Sequence, residues 1–369
     1  MTPPEDPGIR FNLAPGPSRL LPLMPRAAAN FLESGLGGLH HRSPELGALT
    51  GRLVERLRAC LELPADFQVW FVSSASYAME LCVRNLVRDS CSALVAGAFG
   101  GRFAQVAELT GRRVCVSRSA PGTAPTAPPE DPAWRSGEAW LLCHNETATG
   151  TALPLERWPA PRPGDPLRLV DCVSSAGAQR LPWQQGDLWF FSVQKAFGCP
   201  PGLAVILAGP RAVARARELE AEGRDTGAWF SFARLADNAA RRQSPCTPNS
   251  LGLHLLSEAA AWLTERGPAA VEAHVRDLRA ACLDWLESHP ALVAAVTDPA
   301  ARSLTVTALR RRDGGELTTL QQALRAQGIV VGGGYGDWRG TSLRLAHFPV
   351  HEREELATVC AAIDRIVLA

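Results

Sequence analysis

A single lysine, Lys195, occurs in the 369-residue chain, against 37 arginines. A guanidinium stays protonated at any working pH, whereas a buried or flanked ε-amine can shed its proton and attack a carbonyl. Imine formation is therefore open to Lys195 and closed to every arginine. Coding bias toward arginine and alanine would also leave one lysine, so its surroundings decide. Leu188-Trp189-Phe190-Phe191-Ser192-Val193 is an apolar run of strand type, with Gln194-Lys195 at its carboxyl end, where open α/β sheets bind ligands. A second run, Leu167-Arg168-Leu169-Val170, ends in Asp171 and continues into Cys172-Val173-Ser174-Ser175. An amine and a carboxylate converging from two strand ends is the pair that pyridoxal phosphate requires. The amine joins the aldehyde, and the carboxylate keeps the pyridine nitrogen protonated so that the ring accepts electrons. An aspartate at a strand end also commonly caps backbone amides. Ser73-Ser74-Ala75-Ser76 enters a helical pattern at Tyr77, Met79, Leu81 and Cys82, so its amides would meet a phosphate at a helix N-terminus; plain serine N-capping fits the same residues.

These groups need a frame that brings distant segments together. Short apolar runs alternate with longer helical patterns, which implies an α/β architecture with a mostly parallel sheet. Strands are expected at Gln68 to Val72, Ala93 to Val95, Arg113 to Val116, Ala139 to Cys143, Leu167 to Asp171, Leu188 to Val193 and Leu203 to Leu207. Residues 48–61 and a stretch from Leu251 carry helical periodicity. Ser119 to Trp134, rich in proline and alanine, reads as an exposed connection. Further strands near Ser303 to Ala308 and Ser342 to Ala346 suggest a smaller α+β C-terminal domain, 256–369, after a large domain, 1–255. A formal net charge of +1 with 46% hydrophobic residues carries no bias toward nucleic acid or anionic membrane. The opening Met-Thr-Pro-Pro-Glu-Asp-Pro lacks a secretory pattern, and no stretch approaches the ~18 apolar residues of a spanning helix, so a cytoplasmic protein is expected. The ten cysteines lack a Cys-x-x-Cys pair and read as small buried hydrophobes, with no metal site.

Ser192-Val193-Gln194-Lys195-Ala196-Phe197-Gly198, His144-Asn145-Glu146-Thr147-Ala148-Thr149-Gly150 and Asp171 followed by Ser174-Ser175 together resemble the class V aminotransferases of fold type I. Phe11-Asn12-Leu13-Ala14-Pro15-Gly16-Pro17 and His41-Arg42-Ser43 look most like the phosphoserine aminotransferases, over most of the chain. His41-Arg42-Ser43-Pro44-Glu45 and Phe99-Gly100-Gly101-Arg102 also resemble the alanine–glyoxylate and serine–pyruvate aminotransferases of the same class, and the substrate stays open between the two.

The resemblance implies a pyridoxal phosphate enzyme, a homodimer with active sites at the subunit interface, and an N-terminal segment serving both the active site and the small domain. It places the Schiff-base lysine on Lys195 and the pyridinium partner on Asp171. The phosphate loop falls on Ser74, Ala75, Ser76 and Tyr77, with Gln194 facing the phosphate. Phe99 matches the ring that stacks on the cofactor, Thr147 the threonine beside it, and Thr247 a phosphate contact from the neighbouring subunit. Arg344 matches the grip on the substrate α-carboxylate, and His41 and Arg42 reach across the dimer toward the distal group. Many phosphoserine aminotransferases carry a His-Arg pair before the carboxylate arginine; here Asp337-Trp338-Arg339-Gly340 leaves Arg339 alone to serve.

Overall fold

Strands of five or six residues that are apolar throughout have no face to give to water, and they form the interior of a sheet covered on both sides. In the computed structural model, which describes residues 8–120, 122–125 and 127–368, seven strands lie in the order Gln68–Val72, Ala204–Ala208, Leu188–Ser192, Leu167–Asp171, Ala139–Cys143, Ser90–Val95, Arg113–Arg118; the inner five are buried almost throughout, and the edge strand Arg113–Arg118 is partly exposed. Ala204–Ala208 runs antiparallel to both neighbours and the remaining pairs are parallel. Side chains alternate between the two faces: Trp189 and Phe191 enter one apolar cluster with helices Pro44–Leu61 and Ser250–Arg266, while Leu188 and Phe190 enter the other with helix Ala75–Leu86. Phe190 is fully buried, and truncating it to alanine should cost about 3–5 kcal/mol.

A second sheet of five strands follows the order Phe11–Leu13, Ile329–Gly333, Ser342–Ala346, Val306–Arg311, Leu292–Ala294. Leu278, Cys282 and Leu286 from helix Pro268–Ser288, Leu320 and Leu324 from Thr318–Ala326, and Leu356, Val359 and Ile363 from Arg353–Val367 form its core. The first strand pairs in parallel with Ile329–Gly333, and the chain then crosses to the large sheet. There Ser18 N–H donates to Gln194 O (3.0 Å) and Leu21 N–H to Gly198 O (2.9 Å), strapping residues 16–21 over the turn that carries Lys195. The architecture is the mixed α/β one expected, with a large, mostly parallel sheet.

Residue 255 falls inside helix Ser250–Arg266, and Leu253 and Leu263 on either side of it share one cluster with Val271 and Val275. We therefore propose that the division between the two units lies within Pro268–Ser288. Two expectations need correction. The strand expected at 303–308 is Val306–Arg311, because Ser303 and Thr305 are committed to a turn: Ser303 Oγ accepts the N–H groups of Thr305 and Val306, and Thr305 Oγ1 donates to Ser174 O. The segment 119–134 is not wholly an exposed connection either. It ends in a short helix, Pro132–Arg135, whose Trp134 is buried against Trp140 and donates to Ala93 O. Eight of the ten cysteines are buried, Cys115 is half-buried and Cys246 is exposed. Among the described residues no helix is long and apolar enough to cross a membrane, and the opening seven residues, which carry the expectation about secretion, lie outside them.

Candidate active site

Parallel strands 167–171 and 188–192 are hydrogen-bonded neighbours, so Asp171 and the Gln194-Lys195 turn emerge side by side at their carboxyl ends. Lys195 is buried, and its Nζ donates to Thr147 Oγ1 at 2.8 Å. Burial pulls the amine down from 10.5 to about 8, against the opposing pull of Asp171. The same burial pushes the Asp171 carboxyl up from 3.8 to about 6, while the Val173 N–H donated to Oδ1 (2.8 Å) and the charge of Lys195 pull it back. Thr147 Oγ1 passes its own hydrogen to Ser174 Oγ (2.8 Å), which is also held by Asn145 Nδ2 (2.7 Å). A polar chain thus fixes Thr147, and through it the amine.

A cavity of about 240 Å³ opens around these groups. Ser74, Ala75, Ser76, Phe99, Thr147, Asp171, Gln194, Lys195 and Arg344 all line it. Ser74 is the N-cap of helix Ala75–Leu86, its Oγ accepting Tyr77 N–H at 3.1 Å, so the helix presents its first amides to the cavity. Tyr77 itself turns away and packs edge-on against Phe230. Phe99 lies with Lys195 Nζ 5.2 Å from its ring centre. Arg344 is buried and anchored through Nε to Gly333 O (2.9 Å) and Nη1 to Thr147 O (3.0 Å).

His41 and Thr247 line a separate pocket, with His41 Nδ1 3.5 Å from Thr247 Oγ1, and Arg42 is exposed. Arg339 is exposed beyond the 3-10 turn Gly336–Trp338 and does not line the cavity. Three residues that sequence reasoning passed over stand at the site. Arg102 lies one helical turn after Phe99, Tyr335 is one of only two tyrosines, and Glu146 belongs to the motif that contains Thr147. Glu146 is buried and clamps helix Ala98–Leu109: Oε2 accepts the N–H groups of Phe99 (2.9 Å) and Gly100 (3.0 Å), and Oε1 accepts that of Ala148 (3.1 Å). Burial raises its carboxyl and the three amides oppose that rise. Gly97 permits this approach, since a Cβ there would collide with the Glu146 side chain.

The donor set matches one group. Helix amides with Ser74, Ser76 and Gln194 suit a phosphate, Phe99 suits an aromatic ring, Asp171 retains Oδ2 for a ring N–H, and Ser192 Oγ is buried at the same wall without a partner among the described residues. These residues fit pyridoxal phosphate. The profile of the aminotransferase class-V family matches residues 10–337. The chain belongs to this family, whose members are pyridoxal phosphate enzymes that move amino groups between substrates. A phosphoserine aminotransferase from Nocardioides sp. is 29% identical over 90% of this chain and 89% of its own length. The structure of a phosphoserine aminotransferase from Cytophaga hutchinsonii superposes with a TM-score of 0.88 at 26% identity, covering 98% of this chain and 99% of the other. An alanine–glyoxylate aminotransferase from Nostoc sp. reaches a TM-score of 0.83 at 23% identity over 100% and 97% of the two chains, a likeness of fold alone.

Proposed function

We propose that the chain interconverts 3-phosphohydroxypyruvate and L-glutamate with O-phospho-L-serine and 2-oxoglutarate, a step of serine biosynthesis. The observation that carries this is a cavity walled by Lys195 and Asp171 that also holds guanidinium groups without ion-pair partners among the described residues, as substrates with two anionic groups require. Full-length similarity to proteins named phosphoserine aminotransferase supports it.

Bound against Asp171 and Phe99, pyridoxal phosphate supplies a carbonyl for the amine and an electron-accepting ring. Lys195, held near neutrality by burial, is the group that engages that carbonyl. With a substrate in the cavity, Lys195 Nζ would be placed to take the proton from the substrate Cα and to return one, as general base and then general acid. Thr147 orients Nζ through its 2.8 Å bond, and Asp171 stays ionised above pH about 6 to hold a ring N–H. Arg344, with two donors spent on backbone carbonyls, keeps the rest of its fork for the α-carboxylate. His41, Arg42 and Thr247 serve the neighbouring subunit's site in a homodimer.

The exposure of Arg339 favours a second reading, the alanine–glyoxylate or serine–pyruvate reaction, which needs no distal cation. The experiment that separates them adds L-phosphoserine, L-glutamate, L-alanine and L-serine separately to the loaded enzyme and follows cofactor absorbance. Response to the first two and not the last two supports the phosphoserine reaction; the reverse pattern moves the function to the small amino acids.

A further inference from the structure

We infer that Arg102, held in place by Tyr335, binds the distal anionic group of the substrate from within the same chain. This rests on the proposed use of substrates with two anionic groups, of which Arg344 takes one.

Arg102 sits three residues after Phe99 on helix Ala98–Leu109, so it projects to the same side and lines the same cavity. Its guanidinium lies 5.3 Å from the Phe99 ring centre, and Nη2 donates to the Tyr335 phenol at 2.6 Å. Among the described residues no carboxylate lies within ion-pair distance of it, whereas Arg84, Arg88 and Arg215, also half-buried, each have acidic partners. The carboxylates facing this side of the cavity are otherwise engaged. Glu146 is held by three backbone amides, and Asp171 accepts from Val173 beside Lys195. A half-buried guanidinium with only a phenol for a partner carries uncompensated charge, which an anionic ligand would satisfy.

Tyr335 sets the spacing. Its ring stacks parallel to Phe99 (centres 5.5 Å apart, 5° between planes), and the Arg344 guanidinium lies 5.8 Å from the Tyr335 ring centre. Both arginines therefore meet around one tyrosine, as two cations placed for the two ends of a short amino acid. The tyrosine is carried on the turn after Ile329–Gly333, where a Cβ on Gly334 would overlap the Trp338 carbonyl, so the tight backbone fixes where the ring stands. One Arg102 amino group is spent on the phenol, and the remaining donors suit a carboxylate or phosphate.

The test compares binding of glutarate, with two carboxylates, and butyrate, with one, to the holoenzyme by titration calorimetry, alongside kcat/KM for L-glutamate and L-alanine. Wild-type enzyme should prefer glutarate and glutamate, and Arg102→Gln should shrink both preferences by roughly 10- to 100-fold, the range for a charge-assisted pair. If the wild type shows no preference for the doubly anionic compounds, the underlying functional reading fails. If the wild type has the preference and Arg102→Gln keeps it, Arg102 is excluded while that reading stands. Should Arg102→Gln not fold, Arg102→Lys carries the test, since it keeps the charge and loses the fork. An undiminished glutarate preference in that variant overturns the inference.

Discussion

At the scale of single residues, the site turns on two groups whose titrations burial drives toward each other. Only the neutral amine of Lys195 attacks a carbonyl, so the rate at which apoprotein captures pyridoxal phosphate should rise with pH to a plateau, with a midpoint near 8. A midpoint near 10, as for a solvated lysine, would count against the buried setting. Lys195→Arg should keep the charge and lose both capture and turnover. Asp171 has a folded value raised to about 6 from 3.8, so its contribution to apoprotein stability is greatest below pH 3.8 and is lost as pH rises through about 6. The loss should amount to roughly 3 kcal/mol, and urea denaturation of Asp171→Asn should lack that slope. That Lys195 and Asp171 would stand side by side was legible from the strand ends, and Thr147 and Arg344, expected from the family resemblance, line the same cavity. Arg102 was not legible, because one arginine among 37 looks like any other until the fold shows which one faces the cavity without an acid beside it.

At the scale of elements, two backbone devices hold the reactive groups. The Glu146 carboxylate joins the start of helix Ala98–Leu109 to the segment carrying Thr147, so Phe99 and Thr147 move as one piece. Glu146→Gln turns an amino group toward backbone N–H donors, and the unsatisfied donor should cost about 1–3 kcal/mol in a denaturation midpoint. Turnover should fall as well, because both walls of the cavity shift. The strap at residues 16–21 is the second device. A Cβ on Gly16, whose φ is +141°, would come within 2.8 Å of Lys195 Cε, so Gly16→Ala should displace the amine. Turnover should fall by about 100-fold with the far-ultraviolet spectrum unchanged; wild-type turnover would remove the strap from any role at the site. The inner strands were readable from apolar runs alone. The errors at 303–308 and 119–134 have one cause: Thr305 donates to Ser174 O and Trp134 to Ala93 O, both far along the chain, and local pattern carries no trace of such partners.

At the scale of the molecule, His41 and Thr247 line a pocket apart from the cavity and Arg42 beside them is exposed, an arrangement that suits a partner subunit's site. Co-expressing a Lys195→Ala chain with an Arg42→Ala chain should restore about a quarter of wild-type activity, since half of the dimers would be mixed and each would carry one complete site. No recovery in verified mixed dimers would mean that each chain serves only itself. The two-sheet plan was legible from the alternation of runs. The seam we propose within Pro268–Ser288 leaves no compositional mark, because helix Ser250–Arg266 buries Leu253, Leu256, Ala260 and Leu263 in the large unit's cluster along its length. The solitary ε-amine has a consequence of its own. Feeding nitrogen-15 lysine during expression labels one side chain in the whole protein, and that side chain lines the cavity beside Asp171. Its magnetic resonance signal needs no assignment, and every change of protonation, partner or substrate at Lys195 can be watched as the movement of a single line.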